Sequence, residues 1–410
     1  MGNRLTTIAP ILAVLYSLGF TNLFLRSSFG VMAPDLAREM ALDPAELSMI
    51  ASAFFFAYAI MQVPTGMLLD RFGPRRTVAT MLVFTTLGAA LFAIGRSPMA
   101  LTIARLLMGF GCAGVFTGAF YVMSQWMPTD RVVTQIGALN SFSDLGTLCA
   151  TTPFAVLIAW IGWRESYWIF TAGVGGLMIA VAVLLRDAPA ERPTLSTKRE
   201  SLAQAFAGVR DAIAQPGMKR LLVTGLPMSS ASTIAGVWGA PYLKDVHALD
   251  DIGRGNALLA MAACAMAGHF LYGQVARRLN TLKGMVLAGS TAVLVATSTL
   301  ALVEHPSISL AAGLFCLIAL FSAYPTITHA HARGLVPHHL VGRGVSVTNM
   351  GVMTAIAFMQ LAFGWIIGAF AQAKGVPPEH AYRAGFAAQA AVTLLAIAIY
   401  APIRDVKPRG

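Results

Sequence analysis

Long apolar runs alternate with short polar gaps along almost the whole chain, each run close to the 20 or so residues a helix needs to cross a bilayer. Twelve such runs predict twelve membrane-spanning helices, at approximately 7–32, 46–69, 77–95, 99–125, 132–160, 166–186, 219–243, 254–275, 284–303, 307–332, 342–371 and 382–403. They are continuous rather than alternating, which argues against a strand barrel. The first run holds Arg26 and is too long for a signal-peptide core, so it is expected to be a retained span. The longest gap, from Asp187 to about Met218, is polar and contains Pro189, Pro193 and Pro216. It divides the chain into a six-helix bundle at 1–187, a linker at 188–218 and a second six-helix bundle at 219–410.

A repeat crosses that linker. Pro128 opens the turn before the fifth run with Asn140 twelve residues on, and Pro337 and Asn349 repeat the arrangement before the eleventh, offset by 209 residues. Gly66 and Gly273 close the second and eighth runs with an offset of 207, each followed four residues later by a charged pair. With the six-plus-six layout this predicts an all-α polytopic membrane protein of two pseudo-symmetric bundles, with a binding site between them near the bilayer midplane.

Composition narrows the class. Of 410 residues 57% are hydrophobic and 11% charged, too few charges to cover a water-soluble protein of this size. The net charge of +11 does not indicate a nucleic-acid partner, because the basic residues lie in the gaps and form no continuous stripe. With the N-terminus inside, 20 of the 29 lysines and arginines fall in inner segments, so both termini are expected in the cytoplasm. Cys112, Cys149, Cys264 and Cys316 all lie within runs and read as buried thiols, not a disulfide framework.

The gap between the second and third runs reads Gly66-Met-Leu-Leu-Asp70-Arg71-Phe-Gly73-Pro-Arg75-Arg76. Its glycines suit close packing and a tight turn, and Asp70 is an anion among three arginines that pairs with Arg131 or sits at another span's N-terminus. This resembles the signature loop of the major facilitator superfamily. Arg105-Leu-Leu-Met-Gly109-Phe-Gly111 in the fourth run and Gly162-Trp163-Arg164 before the sixth are similar to further phrases of that family. Asn22-Leu-Phe-Leu-Arg26, followed by Met32-Ala-Pro34, looks like the first span of its anion:cation symporter branch, although Leu25 stands where that branch usually carries an acid. The resemblance implies a secondary transporter of the bacterial inner membrane working by alternating access. In such a protein Asp70, Arg71, Arg75, Arg76 and Arg131 would latch the cytoplasmic side, and spans 1, 4, 7 and 10 would line the cavity.

A charge in mid-span costs about 2.5–3.5 kcal/mol, so each needs a reason. Arg26 and Arg105 lie at similar depth, roughly 8–9 Å from the same side at 1.5 Å per residue. Facing one cavity they form a fork for a carboxylate or phosphate. Alternatively Arg26 snorkels to headgroups, and Arg105 clamps backbone carbonyls or relays protons. Asn22 shares the Arg26 face and is placed to orient it. Asp144, with Asn140 a turn away, is the one acid deep in a run. It reads as a proton-coupling residue or as the salt-bridge partner of Arg26 or Arg105.

Tyr58, Gln62, Tyr121, Trp238, Tyr324, Asn349 and Gln360 complete a candidate amphipathic cavity, although each also suits helix packing. Gly225 and Pro227, followed by Ser229, Ser230, Ser232 and Thr233, are expected to soften the seventh span. His329 and His331 point about 200° apart on a helix and cannot share a metal ion, and no metal or cofactor is expected. The sequence has no phosphate-binding Gly-Lys-Ser/Thr loop and no zinc-protease motif, so no enzymatic activity is expected and a gradient must supply the energy. The expected function is transport of a small organic anion by a monomer in the lipid bilayer, with a proton or counter-solute. The alternative is a drug or cation efflux antiporter, disfavoured because the stretch Gly146–Pro153 lacks the Gly-Pro motif usual in such members.

Overall fold

A computed structural model describes residues 2–127, 129–187, 202–371 and 378–408. Pro128 and the proline-bearing part of the expected linker, 188–201, lie outside them, as do 372–377. Twelve crossing segments are present among the described residues. Gly2–Met40 is span 1. Pro44–Ile94 runs for 51 residues, about 76 Å at 1.5 Å per residue, against a hydrocarbon core of about 30 Å. It is two spans, 2 and 3, hinged at Gly73, whose φ of 78° is non-helical and suits glycine. The short loop expected between two separate helices is therefore little more than this one turn.

Span 4 is Pro98–Trp126, and span 5 is a bent pair, Thr134–Cys149 with Thr152–Ile161, meeting at 41°. Span 6 is Trp163–Leu184 and span 7 Met218–Asp245. Asp251–Leu279, Lys283–Leu302, Ile308–Leu335 and His338–Phe370 contain spans 8 to 11, and Pro378–Tyr400 is span 12. The expected linker is not all irregular, since Leu202–Ala214 is a helix that touches both the helix containing span 2 and span 11.

Span 7 is broken as its serines, glycine and proline lead one to expect. Short helices Met218–Leu222 and Gly225–Thr233 pass into a π-helical turn, Ile234–Trp238, and then Gly239–Asp245. A π turn in an α-helix often marks a functional position.

The same clasp holds each bundle on the face away from the termini. Arg164, at the start of span 6, donates to the carbonyls of Ala93 and Gly95 (both 2.8 Å) at the end of span 3 and pairs with Glu39 at 2.9 Å. Arg383, early in span 12, donates to the carbonyls of Ala301 (2.9 Å) and Leu302 (3.2 Å) at the end of span 9 and pairs with Glu304 at 3.0 Å. Arginines thus satisfy the last carbonyls of a helix, which have no intrahelical donors, at matching places in the two halves.

On the termini face, the tail beyond span 12 caps span 9. The Asp405 carboxylate accepts from the backbone N–H of Lys283 (2.9 Å) and Leu282 (3.2 Å) and from the Thr281 hydroxyl (2.7 Å). Partial burial pushes its pKa up, but the Lys283 N–H, the Thr281 hydroxyl and the Leu282 N–H outweigh this and leave it below the ordinary value. The stabilisation is therefore in place above the unfolded carboxylate pKa, near ~3.9, and is lost as pH falls through the lower folded value. Asp405→Ala is expected to cost about 1 kcal/mol and lower the melting temperature at pH 7. The deficit should shrink as pH falls below about 4, where the wild-type carboxylate protonates too; an equal deficit at pH 3 and pH 7 would rule out a charged cap.

Candidate functional site

The two halves approach closely along spans 1 and 7 and along spans 2 and 11. On the far face they are in direct backbone contact. A Cβ on Gly30 would collide with the carbonyl oxygen of Ala235, and one on Gly364 with the Ser48 hydroxyl. A Cβ on Gly255 would lie 3.1 Å from the Thr152 Cα, and next to it the Thr152 hydroxyl donates to the Asn256 side-chain oxygen at 2.8 Å. Only glycine permits so near an approach. Toward the membrane interior from this closure lies a polar cluster built by both halves.

Arg26 is its centre. Its Nη2 donates to the Ser232 hydroxyl across the interface at 3.3 Å, and its guanidinium lies over the Phe55 ring, 5.2 Å from the centroid. Arg26 is half-buried, and no acid pairs with it among the described residues. An unpaired cation at this depth is expensive and marks a functional position. Beside it is Tyr58, with Asn22 and Gln62 flanking the hydroxyl. Asn22 is pinned by donating its Nδ2 to the Cys112 carbonyl at 2.7 Å. From the other half, Gln360 donates Nε2 to the Ser232 carbonyl at 3.1 Å, leaving its Oε1 buried without a partner. The Gln62 Nε2 and the Ser230 and Thr233 hydroxyls are likewise buried and unpartnered. Buried polar atoms normally find partners, so a set of them contributed by both halves suits a polar ligand.

Arg105 does not join this cluster. It is 1% exposed, donates Nη1 to the Leu25 carbonyl at 3.0 Å and Nη2 to the Ala51 carbonyl at 3.5 Å, and is sandwiched between Phe29 and Phe54, 5.1 and 4.6 Å from their centroids. It clamps span 4 to spans 1 and 2. The two-arginine fork is thus corrected to one arginine, with Arg105 holding the carbonyl of the residue before Arg26.

Four other expected site residues stand elsewhere. Tyr324 is fully buried, its hydroxyl 3.0 Å from that of Ser290 and its ring against Tyr272, inside the C-terminal half. Tyr121 neighbours Asp70 and Asp187 near the termini face. Asn349 is half-buried on span 11, about 16 Å along the helix from Gln360 at 1.5 Å per residue. Trp238 stacks on Phe363 at 5.9 Å, on the far side of the closure from Arg26.

Asp144 meets neither arginine. Its carboxylate is 3.5 Å from His269 Nδ1 of span 8, so the pair joins the two halves, with Asp144 at 16% exposure. In the loop at Gly73 the acid that anchors Arg75 is Asp187, accepting from its backbone N–H at 2.7 Å, while Arg75 Nε donates to the Ala182 carbonyl at 2.8 Å. Arg71 covers Phe72 at 5.2 Å, and Asp70, Arg76 and Arg131 are exposed.

Twelve spans in two halves with a polar centre between them define a polytopic membrane protein of the secondary-transporter architecture. The Major Facilitator Superfamily profile matches residues 15–302, and the chain belongs to that family. It is 29% identical over 189 residues to the probable sulfoacetate transporter SauU of Cupriavidus necator, a match covering 46% of this chain and 44% of that relative. It is 24% identical to the probable L-galactonate transporter of Escherichia coli K12 over 79% of this chain and 70% of the relative. In fold it resembles a bacterial homologue of the human lysosomal transporter Spinster, solved in an inward-facing and occupied conformation, with a TM-score of 0.76, 16% identity and 95% of each chain covered.

Proposed function

We propose that the protein is a secondary active transporter of small organic anions, moving a carboxylate-bearing solute between the halves 1–187 and 219–410 by alternating access. The half-buried Arg26 guanidinium carries this reading. Among the described residues it stands between the halves with one neutral hydroxyl partner and no acid. An anion arriving there relieves a buried charge, whereas an organic cation would add to it, which disfavours the cation-efflux alternative. Asn22, Tyr58, Gln62 and Gln360 are the polar groups placed to orient the rest of the solute. The relatives' names add support, since one is described for sulfoacetate and another for L-galactonate, both small acids.

Coupling is assigned to Asp144. A carboxylate held against a histidine of the opposite half changes the attraction between halves whenever the pair gains or loses a proton. Asp70, Arg71, Arg75, Arg76 and Arg131 form the latch of the termini face, with Arg75 held in place by Asp187. The excess of lysine and arginine on that face supports both termini facing the cytoplasm across a bacterial inner membrane, and a site built within one chain supports a monomer.

The test is thermal stabilisation of the purified protein by a panel of sulfoacetate, galactonate, glucarate, inorganic phosphate and organic cations. Stabilisation by one or more carboxylates or sulfonates, saturable and weakened by Arg26→Ala, is expected. Stabilisation by cations alone, unchanged in Arg26→Ala, would overturn the reading.

A further inference from the structure

Above the closure, on the far face, a cavity of about 560 Å³ lies between the halves. We propose that it is a second anion site, in series with Arg26, where the same class of small organic anion docks on entering or leaving. The proposal rests on the organic-anion reading of the Arg26 cluster.

Three levels of spans 1 and 7 define the route. Arg26 and Ser232, joined by a hydrogen bond, are 206 residues apart. The same interval separates Gly30 from Gly236, at the closure, and Arg38 from Lys244, at the cavity. The two helices therefore face one another position for position across the pseudo-symmetry axis, and each half places one cation in the cavity wall. Arg38 uses Nη2 to hold Asp35 at 2.9 Å, leaving its other donors free of that pair. Lys244 is half-buried and makes no ion pair among the described residues. The acid in the wall, Asp245, already accepts from the Tyr382 hydroxyl at 2.6 Å.

The cavity is built to hold a ligand as well as to attract one. Trp238 lines it at 3% exposure, and its indole N–H is buried with no acceptor. Its ring is fixed between Phe363, stacked at 5.9 Å, and Tyr382, edge-on at 6.3 Å. A carboxylate accepting from Trp238 Nε1 would satisfy that donor and come under the two cations. Pro34, Pro44, Leu47 and Ile367 offer an apolar wall to its carbon skeleton. Charge at such an entrance raises the local concentration of an anion before the halves rearrange.

The experiment titrates the purified full-length protein with glucarate and, separately, sulfoacetate, following the melting temperature. The wild type should show a tight and a weak phase with at least one of them. Arg26→Ala should keep only the weak phase, and adding Lys244→Gln or Trp238→Phe should weaken that phase about tenfold. The phenylalanine keeps the stacked ring while deleting the donor, so its effect separates ligand contact from packing. If Arg26→Ala abolishes all stabilisation, or the weak phase ignores both further substitutions, the vestibular site is overturned while the Arg26 reading stands. No response of the wild type to either anion would remove both.

Discussion

Arg26→Ala is expected to lower uptake of the transported anion by about 100-fold while leaving the melting temperature of the ligand-free protein nearly unchanged. A hydrogen bond to a charged group is worth about 1.5–3 kcal/mol, roughly 10- to 150-fold, and more where water is excluded. Among the described residues Arg26 makes a single protein hydrogen bond, at 3.3 Å, to a neutral hydroxyl, so little of the fold depends on it. Arg26→Lys should recover only part of the rate, because an ammonium lacks the planar fork. Arg105→Ala should behave in the opposite manner and destabilise the protein by about 2–5 kcal/mol, since it removes bonds to two carbonyls and a packed guanidinium that is 1% exposed. Initial rates in proteoliposomes together with melting curves separate the two effects. An Arg26→Ala protein that transports normally would end the anion-site assignment.

Asp144→Asn is expected to abolish accumulation driven by a pH gradient yet leave exchange of internal for external substrate. One coupled proton at a gradient of one pH unit supplies about 1.36 kcal/mol, a tenfold accumulation ratio. In the variant that ratio should fall to one. Asparagine keeps the shape of the side chain and removes the carboxylate that stands 3.5 Å from His269. His269→Gln should share the phenotype if the two act as a unit. Gradient-driven accumulation at the wild-type ratio in Asp144→Asn would exclude it as the coupling group.

Much of the architecture was legible because membrane spans announce themselves by run length. The hinge at Gly73 was less so, since apolar runs report where a helix must be buried and not where it continues into the loop. Arg105 was misplaced because its partners are carbonyls, and a sequence shows side chains only. Depth along two helices puts two guanidiniums at one level but does not say which faces the cavity. Ser232 could have been found. The repeat spaced by 207 and 209 residues, carried to span 1, leads from Arg26 to within a few positions of it. His269 has no such signal, being a single histidine in an apolar run whose meaning comes from Asp144 across the interface.

The matched clasps of Arg164 and Arg383 have a mechanical consequence. By riveting the sixth helix to the third, and the twelfth to the ninth, they make each bundle a stiff lever instead of a loose sheaf. In the alternating access proposed above, work done by a solute entering between Arg26 and Ser232, which already touch at 3.3 Å, would then go into rotation about the glycine contacts at Gly30 and Gly364 rather than into bending single helices. Under that proposal a displacement of ångström scale at the centre would be magnified at the rim, and the broken seventh helix would supply the give that such a pivot requires.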